Sequence, residues 1–343
     1  MGTALGGYLA RTGRNVLLVG RPDHAEAIRT NGLLLENASG SFRVHPPTRS
    51  DISGLQWQES DVVFLACKSQ DTPEFLRSLE DCPRQTPVFC FQNGIRNERW
   101  VSREFPNTYG VLVNFSARMH GPGSVEHTRS ETLVLGRYPE GEDRFARRVA
   151  EALGEAGFQA SVDPHVMAWK WGKLILNLTN AFMALTDSWV ERAYSIAEER
   201  RFMAETMKEG LAVLRAHGIE PRMGSDGRAD HFIAGLEASG AGHPALQGAT
   251  EDRRTYPSTW QDLKRGRRET EVPHFNGEIV ALGREAGVPT PYNSVLLEEV
   301  EAVLARGRGP GSLSLDELQE KVETAEADPG PGPSGGERPA GLP

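Results

Sequence analysis

The sequence predicts a parallel α/β sheet domain followed by an all-α domain. Three observations carry that prediction. Short apolar or β-branched runs recur in the first half, at residues 15–19 (NVLLV), 61–66 (DVVFLA) and 87–91 (PVFCF), with helix-like stretches between them. Such alternation calls for a sheet covered by helices on both faces. Beyond about residue 163 the pattern changes to long periodic stretches such as 190–217 and 275–287, without a strand pattern. Finally, 343 residues of which 38% are hydrophobic suffice for two cores.

Taken in order, the chain opens on a helix-like run over residues 2–11, with glycines at 2, 6 and 7, that stops at Thr12-Gly13. The strand at 15–19 leads to Arg21, the strand at 61–66 to Lys68, and the strand at 87–91 to Gln92-Asn93-Gly94. Two further extended pieces lie between Val125 and Gly136, and residues 142–157 form the helix that closes the domain. Residues 168–186 (AWKWGKLILNLTNAFMALT) are apolar nearly all round and predict a buried helix. Lys173, Asn177 and Asn180 interrupt it at spacings of four and three, which sets them on one face over two turns. Burying an ammonium and two amides without partners is costly, so that face is expected to border a polar cleft. Residues 256–293 place Ser258, Asp262, Glu271 and Asn276-Gly277 among basic residues, of which Arg265, Arg267 and Arg268 read as charges on a solvated loop. The Pro/Gly-rich end, residues 327–343, cannot bury a core and is expected to be disordered. The domains so delimited are 1–163, 164–308, and a short helix with its tail over 309–343.

Charge and cysteine content exclude several functions. A net charge of -9 argues against nucleic acid or an anionic membrane as partner. Cys67, Cys82 and Cys90 show neither paired nor zinc-site spacing, so reduced thiols, no metal and a cytoplasmic location are expected. The longest apolar runs are too short to cross a bilayer.

In open α/β sheets ligands bind outside the carboxyl ends of the strands, where Arg21, Lys68 and Asn93-Gly94 stand. A cation after this strand suits the 2′-phosphate of NADP, where an acidic residue would read the ribose of NAD. Arg21 follows Gly2 by 19 residues, close to the spacing between a dinucleotide fingerprint and its ribose-reading residue. Gly2 then stands for the third glycine of that fingerprint. The first strand and the first two glycines are expected to be missing, with Met1 an internal methionine.

In this order the residues resemble the ketopantoate reductase (2-dehydropantoate 2-reductase) family, from Gly2 to about Leu304. The matching pieces are the glycine-rich start, Arg21, Lys68, Asn93-Gly94, KWGKLILN, PSTWQDLKRGR, TEV with NG five residues after Glu271, and GVPTP. The resemblance implies a Rossmann domain, a helical domain like the C-terminal one of 6-phosphogluconate dehydrogenase, and reduction of 2-dehydropantoate to pantoate on the way to pantothenate and coenzyme A. It implies NADPH as cofactor, held by Gly2, Arg21, Lys68, Asn93 and Glu271. Lys173 resembles the catalytic general acid and Glu271 the carboxylate beside it. Asn93, Asn177, Asn180 and Ser258 resemble the substrate-binding residues. The loop before Glu271 is one residue longer than the family's common form, which leaves Glu269 as its competitor. Asn180 follows Lys173 by seven residues rather than eight, and DSWVERAY lacks a family asparagine. The implied partner is a small 2-oxo acid, with a homodimer as candidate assembly. Alternatives are a reductase of another 2-oxo acid and a non-catalytic nucleotide-binding relative.

Overall fold

A computed structural model describes residues 1–238 and 254–327, so the expected disorder of the Pro/Gly-rich tail, past its first residue, lies outside the described residues. The chain forms two compact units, Met1–Lys170 and Trp171–Pro343.

The first unit runs through α1 (Gly2–Arg11), β1 (Leu18–Val19), α2 (Pro22–Asn31), β2 (Leu33–Asn37), β3 (Gly40–Val44), β4 (Thr48–Arg49), β5 (Val63–Leu65), α3 (Thr72–Ser78), β6 (Val88–Cys90), α4 (Arg96–Ser102), β7 (Thr108–Gly121), β8 (Ser124–Arg137), α5 (Arg144–Glu155) and β9 (Gln159–Val162). Helix α1 takes the predicted span and ends at Thr12, followed by Gly13 at φ +79°. Its two inner glycines let it lie close on the sheet: a Cβ at Gly7 would sit 2.8 Å from Leu35 Cδ1 and 2.9 Å from Leu33 Cδ2. Asp143 caps α5 by accepting from the Phe145 and Ala146 amides.

The sheet is mixed rather than purely parallel. Strands β5, β6 and β7 run parallel, as do β2 with β8 and β8 with β9, but β2/β3 and β7/β8 are antiparallel. The cause is local. Only residues 38–39 separate β2 from β3, and only Pro122-Gly123, with Gly123 at φ +75°, separates β7 from β8. Links that short make hairpins and cannot make crossovers. The two extended pieces expected between 125 and 136 are one strand, β8, paired with a β7 that the sequence reading did not contain.

The strand order is β3-β2-β8-β7-β6-β5, with β9 alongside β8, while β1 and β4 form a separate two-stranded sheet. The strands β1 and β5 thus belong to different sheets. Helix α1 touches both pieces: a Cβ at Gly2 would meet Ala66 Cβ at 2.8 Å, and one at Gly6 would meet the Leu18 side chain.

The helical half comprises α6 (Val166–Asn177), α7 (Thr179–Leu185), α8 (Val190–Ser195), α9 (Ala197–Ala216), α10 (Ala229–Ala238), α11 (Ser258–Lys264), α12 (Val272–Ala286), α13 (Pro291–Ala305) and α14 (Leu315–Ala327). Two expected helices are each split. Residues 190–217 break at Ile196, whose backbone is extended (φ -89°, ψ 124°). Residues 168–186 are divided at Leu178, whose dihedrals stay helical (φ -56°, ψ -30°) and whose carbonyl oxygen accepts from Asn276 Nδ2 of α12 at 3.0 Å. Among the described residues no helix is long and apolar enough to cross a membrane.

Candidate active site

In the first unit the strand-end residues gather in one region. Gly2 opens α1 against Ala66, which follows β5, and Lys68 is half-buried two residues later. Arg21 is the N-cap of α2; its side chain is 68% exposed, with Asp23 3.8 Å away. His24, in the first turn of α2, ties that loop to the start of α1. Its Nδ1 accepts from the Gly123 amide, so Nε2 carries the ring proton and donates to Thr3 Oγ1 at 3.1 Å. Burial, and next the charge of Arg21, hold this imidazole below its usual pKa, in keeping with a neutral ring.

The Asn93-Gly94 turn, with Gly94 at φ +77°, is set in a buried polar network. Asn97 Nδ2 donates to Asn93 O at 3.1 Å and to Ser69 Oγ at 3.0 Å, and Ser69 Oγ donates to Asn93 O at 3.2 Å. Thr72 Oγ1 donates to Asn97 Oδ1 at 2.8 Å and accepts from Gln92 Nε2 at 2.9 Å. Lys170 Nζ donates to Gln92 O at 3.0 Å and pairs with the Glu98 carboxylate, the two side chains being 3% and 0% exposed. Burial raises the Glu98 carboxyl above its usual range while Lys170 opposes that shift.

Sequence reasoning missed Ser69, Thr72, Asn97, Glu98 and Lys170. Lys170 was open to notice, because it is a further charge in the same apolar stretch that drew attention to Lys173. Its partner lies 72 residues away, beyond any local pattern.

In the second unit Lys173, Asn177 and Asn180 are all half-buried, while Leu174, Ile175, Leu178 and Thr179 around them are buried. The first two lie on α6 and Asn180 on α7. Gly172 lets α6 approach the backbone of the 217–228 segment, since a Cβ there would fall 1.9 Å from Arg222 O. Ser258 is exposed and opens α11, which packs against α7. Glu271 is 9% exposed and is the N-cap of α12, whereas Glu269 is exposed on the preceding loop. Asn276, fully buried on α12, binds both Leu178 O and Asn293 Oδ1 at 3.0 Å and so fixes α12 on the α6/α7 break. Arg267 is more than a solvated loop charge: it pairs with the buried Asp262 at 3.1 Å.

Residues 1–140 match the family Ketopantoate reductase PanE/ApbA, and residues 165–304 match Ketopantoate reductase PanE/ApbA C terminal. The chain belongs to the ketopantoate reductase family. It is similar to the 2-dehydropantoate 2-reductase of Pyrococcus horikoshii, 28% identical over 314 residues, which are 90% of this chain and 96% of the relative. The same enzyme of Pyrococcus abyssi is 29% identical over 86% of this chain and 92% of its own. Among solved structures, a PanE/ApbA family ketopantoate reductase from Ralstonia eutropha JMP134 matches with TM-score 0.75 and 29% identity, over 89% of this chain and 97% of that one. D-mandelate dehydrogenase in a ternary complex with NADH and anilino(oxo)acetate matches with TM-score 0.76 and 26% identity, over 88% and 95%. The mixed sheet followed by helices is thus the ketopantoate reductase fold, with nucleotide-dependent oxidoreductases as its relatives.

Proposed function

We propose that this chain reduces 2-dehydropantoate to pantoate with NADPH, using Lys173 as general acid. The observation that carries the reading is the half-buried polar stripe of Lys173, Asn177 and Asn180 among buried apolar neighbours, in a chain whose two halves both match the family. An ammonium so placed can give its proton to a keto oxygen and hold a positive charge beside the alkoxide that develops there. Asn177 and Asn180 supply amide donors and acceptors for the substrate, and Ser258 offers a hydroxyl to its carboxylate. Glu271, nearly buried at the N-cap of α12, fits the carboxylate role better than exposed Glu269.

The donor set of the first unit suits a phosphorylated nucleotide. Arg21 presents an exposed guanidinium, and His24 holds its loop against the N-terminus of α1, where backbone N–H groups favour anions. Bound NADPH supplies the hydride. Arg21 would take the 2′-phosphate, with Gly2, Lys68 and Asn93 around the remainder. The three cysteines are free, in keeping with a cytoplasmic setting.

The structural match to D-mandelate dehydrogenase favours a second reading, reduction of a bulkier 2-oxo acid. Steady-state rates with 2-dehydropantoate and a panel of branched and aryl 2-oxo acids, each with NADPH and NADH, decide between them. A kcat/KM at least tenfold higher for 2-dehydropantoate is expected. Preference for an aryl substrate would replace the first reading with the second.

A further inference from the structure

We propose that Lys170 and Glu98 are positioning residues that hold the Asn93 turn in its ligand-binding conformation; this rests on the reading of Asn93 as a ligand amide. The two carbonyl groups that bracket the Asn93 Cα are both held. Asn93 O accepts from Ser69 Oγ and Asn97 Nδ2. Gln92 O accepts from Lys170, 78 residues away in sequence, at the start of α6. With both flanking peptide planes fixed, the direction in which the Asn93 side chain leaves the backbone is fixed too.

The chemistry of the tether points to orientation rather than stability. A buried ion pair seldom stabilises a fold more than well-packed apolar residues in its place, because desolvation of the two charges offsets their attraction. Here one Glu98 oxygen is taken by Lys170, while Oε2 is buried with no hydrogen-bond partner among the described residues. The arrangement is therefore not one that extracts the most from its buried carboxylate. What Glu98 does is set the Lys170 ammonium, which can then donate to Gln92 O along a second direction. Gly110 packs beside the pair: an added Cβ would be in ordinary contact with Glu98 Oε1 at 3.5 Å and tight against Met167 Sδ at 3.1 Å. None of Lys170, Glu98 or Gly110 need touch substrate or cofactor for this role.

The test separates stability from orientation. The double variant Lys170→Met/Glu98→Leu replaces both charges by apolar groups, and its melting temperature is expected within a few degrees of the parent. Its amide hydrogens at residues 92–97 are expected to exchange at least tenfold faster, and its KM for 2-dehydropantoate to rise at least tenfold with kcat changed far less. Lys170→Arg, which keeps a charged donor, is expected to retain most of the parental behaviour. A folded double variant with parental exchange at 92–97, or with parental KM, overturns the proposal. Should the double variant not fold, Lys170→Met with Glu98→Gln, which leaves no unpaired buried charge, is read in the same two ways. A parental chain that reduces no 2-oxo acid would instead refute the functional reading, and the exchange measurement would still decide whether the tether orders the turn.

Discussion

Lys173 shares α6 with Lys170, yet the two lysines are set up for different work. Lys170 is almost wholly buried and spends its ammonium on a carboxylate and a carbonyl, whereas Lys173 is half-buried on a polar stripe. A general acid needs that access, since its proton must reach a bound substrate. Lys173→Ala is therefore expected to lower kcat/KM by about a hundredfold or more, the usual share of general-acid catalysis, while NADPH binding stays near parental. Single-turnover rates and fluorescence titration check both halves, and near-normal turnover would remove Lys173 from the chemistry. In the proposed reading Arg21 would act through charge on the cofactor's extra phosphate. Arg21→Asp should weaken NADPH by tenfold or more and NADH much less, because a like charge then faces the 2′-phosphate. Equal losses for the two cofactors would contradict that role. Both residues stand out in the sequence for the same reason: each is a charge where the local pattern, an apolar helix or a strand end, does not by itself supply one. Asn276 and Thr72 were not legible as network members, because their partners are distant in the chain and only the fold brings them near.

Helices were read more accurately than strands, and their signals explain why. Helix α1 carries its start, its glycines and its Thr12-Gly13 stop within a dozen residues. By contrast β7 and β8 are joined by Pro122-Gly123 and owe their antiparallel pairing to that turn rather than to their own residues. The contact that meets the chain between α6 and α7 comes from Asn276, 98 residues away from Leu178. Where the controlling contact is local, its loss should have a local cost. Asp143 caps α5 and also accepts from Tyr109 Oη at 2.7 Å and from Arg137 at 2.8 Å. Burial acts to raise its carboxyl, but the Ala146 amide, Arg137 and Tyr109 outweigh burial and hold the pKa below the usual carboxylate value. A carboxyl depressed in the folded state contributes stability that is present above its unfolded pKa, near 4 in general, and lost as pH falls through the folded one. Asp143→Ala should cost about 1–2 kcal/mol at pH 7 by loss of the cap. The deficit relative to the parent should begin to shrink below about pH 4, where the unfolded parent takes up a proton while the folded carboxylate stays ionised, and should go on shrinking as pH falls through the folded pKa. Urea melts of both proteins at pH 7 and pH 3.5 check the sign, and a deficit that grew on acidification would show the cap reading to be wrong.

At the scale of the whole sheet the division between β1–β4 and the seven-stranded piece has a physical consequence. Among the described residues, β1 pairs with β4 and β5 with β6, so each has one edge that no described strand takes up. An unpaired edge leaves backbone N–H and C=O groups ready to pair with another chain, and natural sheets protect such edges with charge or with cover. These edges carry exposed apolar side chains. Of the three large hydrophobic side chains exposed among the described residues, Val19 (39% exposed) lies in β1 and Val62 (37%) directly precedes β5. Apolar side chains beside open backbone groups are expected to favour association between copies of this chain through the two edges. The short lengths of β1 and β5, two and three residues, limit the strength of any one such contact, so the association should be weak and concentration-dependent. Placing a charge at each edge, Val19→Lys with Val62→Lys, should shift light-scattering mass towards the monomer at high protein concentration and slow aggregation on warming. Both side chains already face solvent, so the far-UV circular dichroism should not change. If the double lysine variant associates as readily as the parent, the open edges are not what brings copies together.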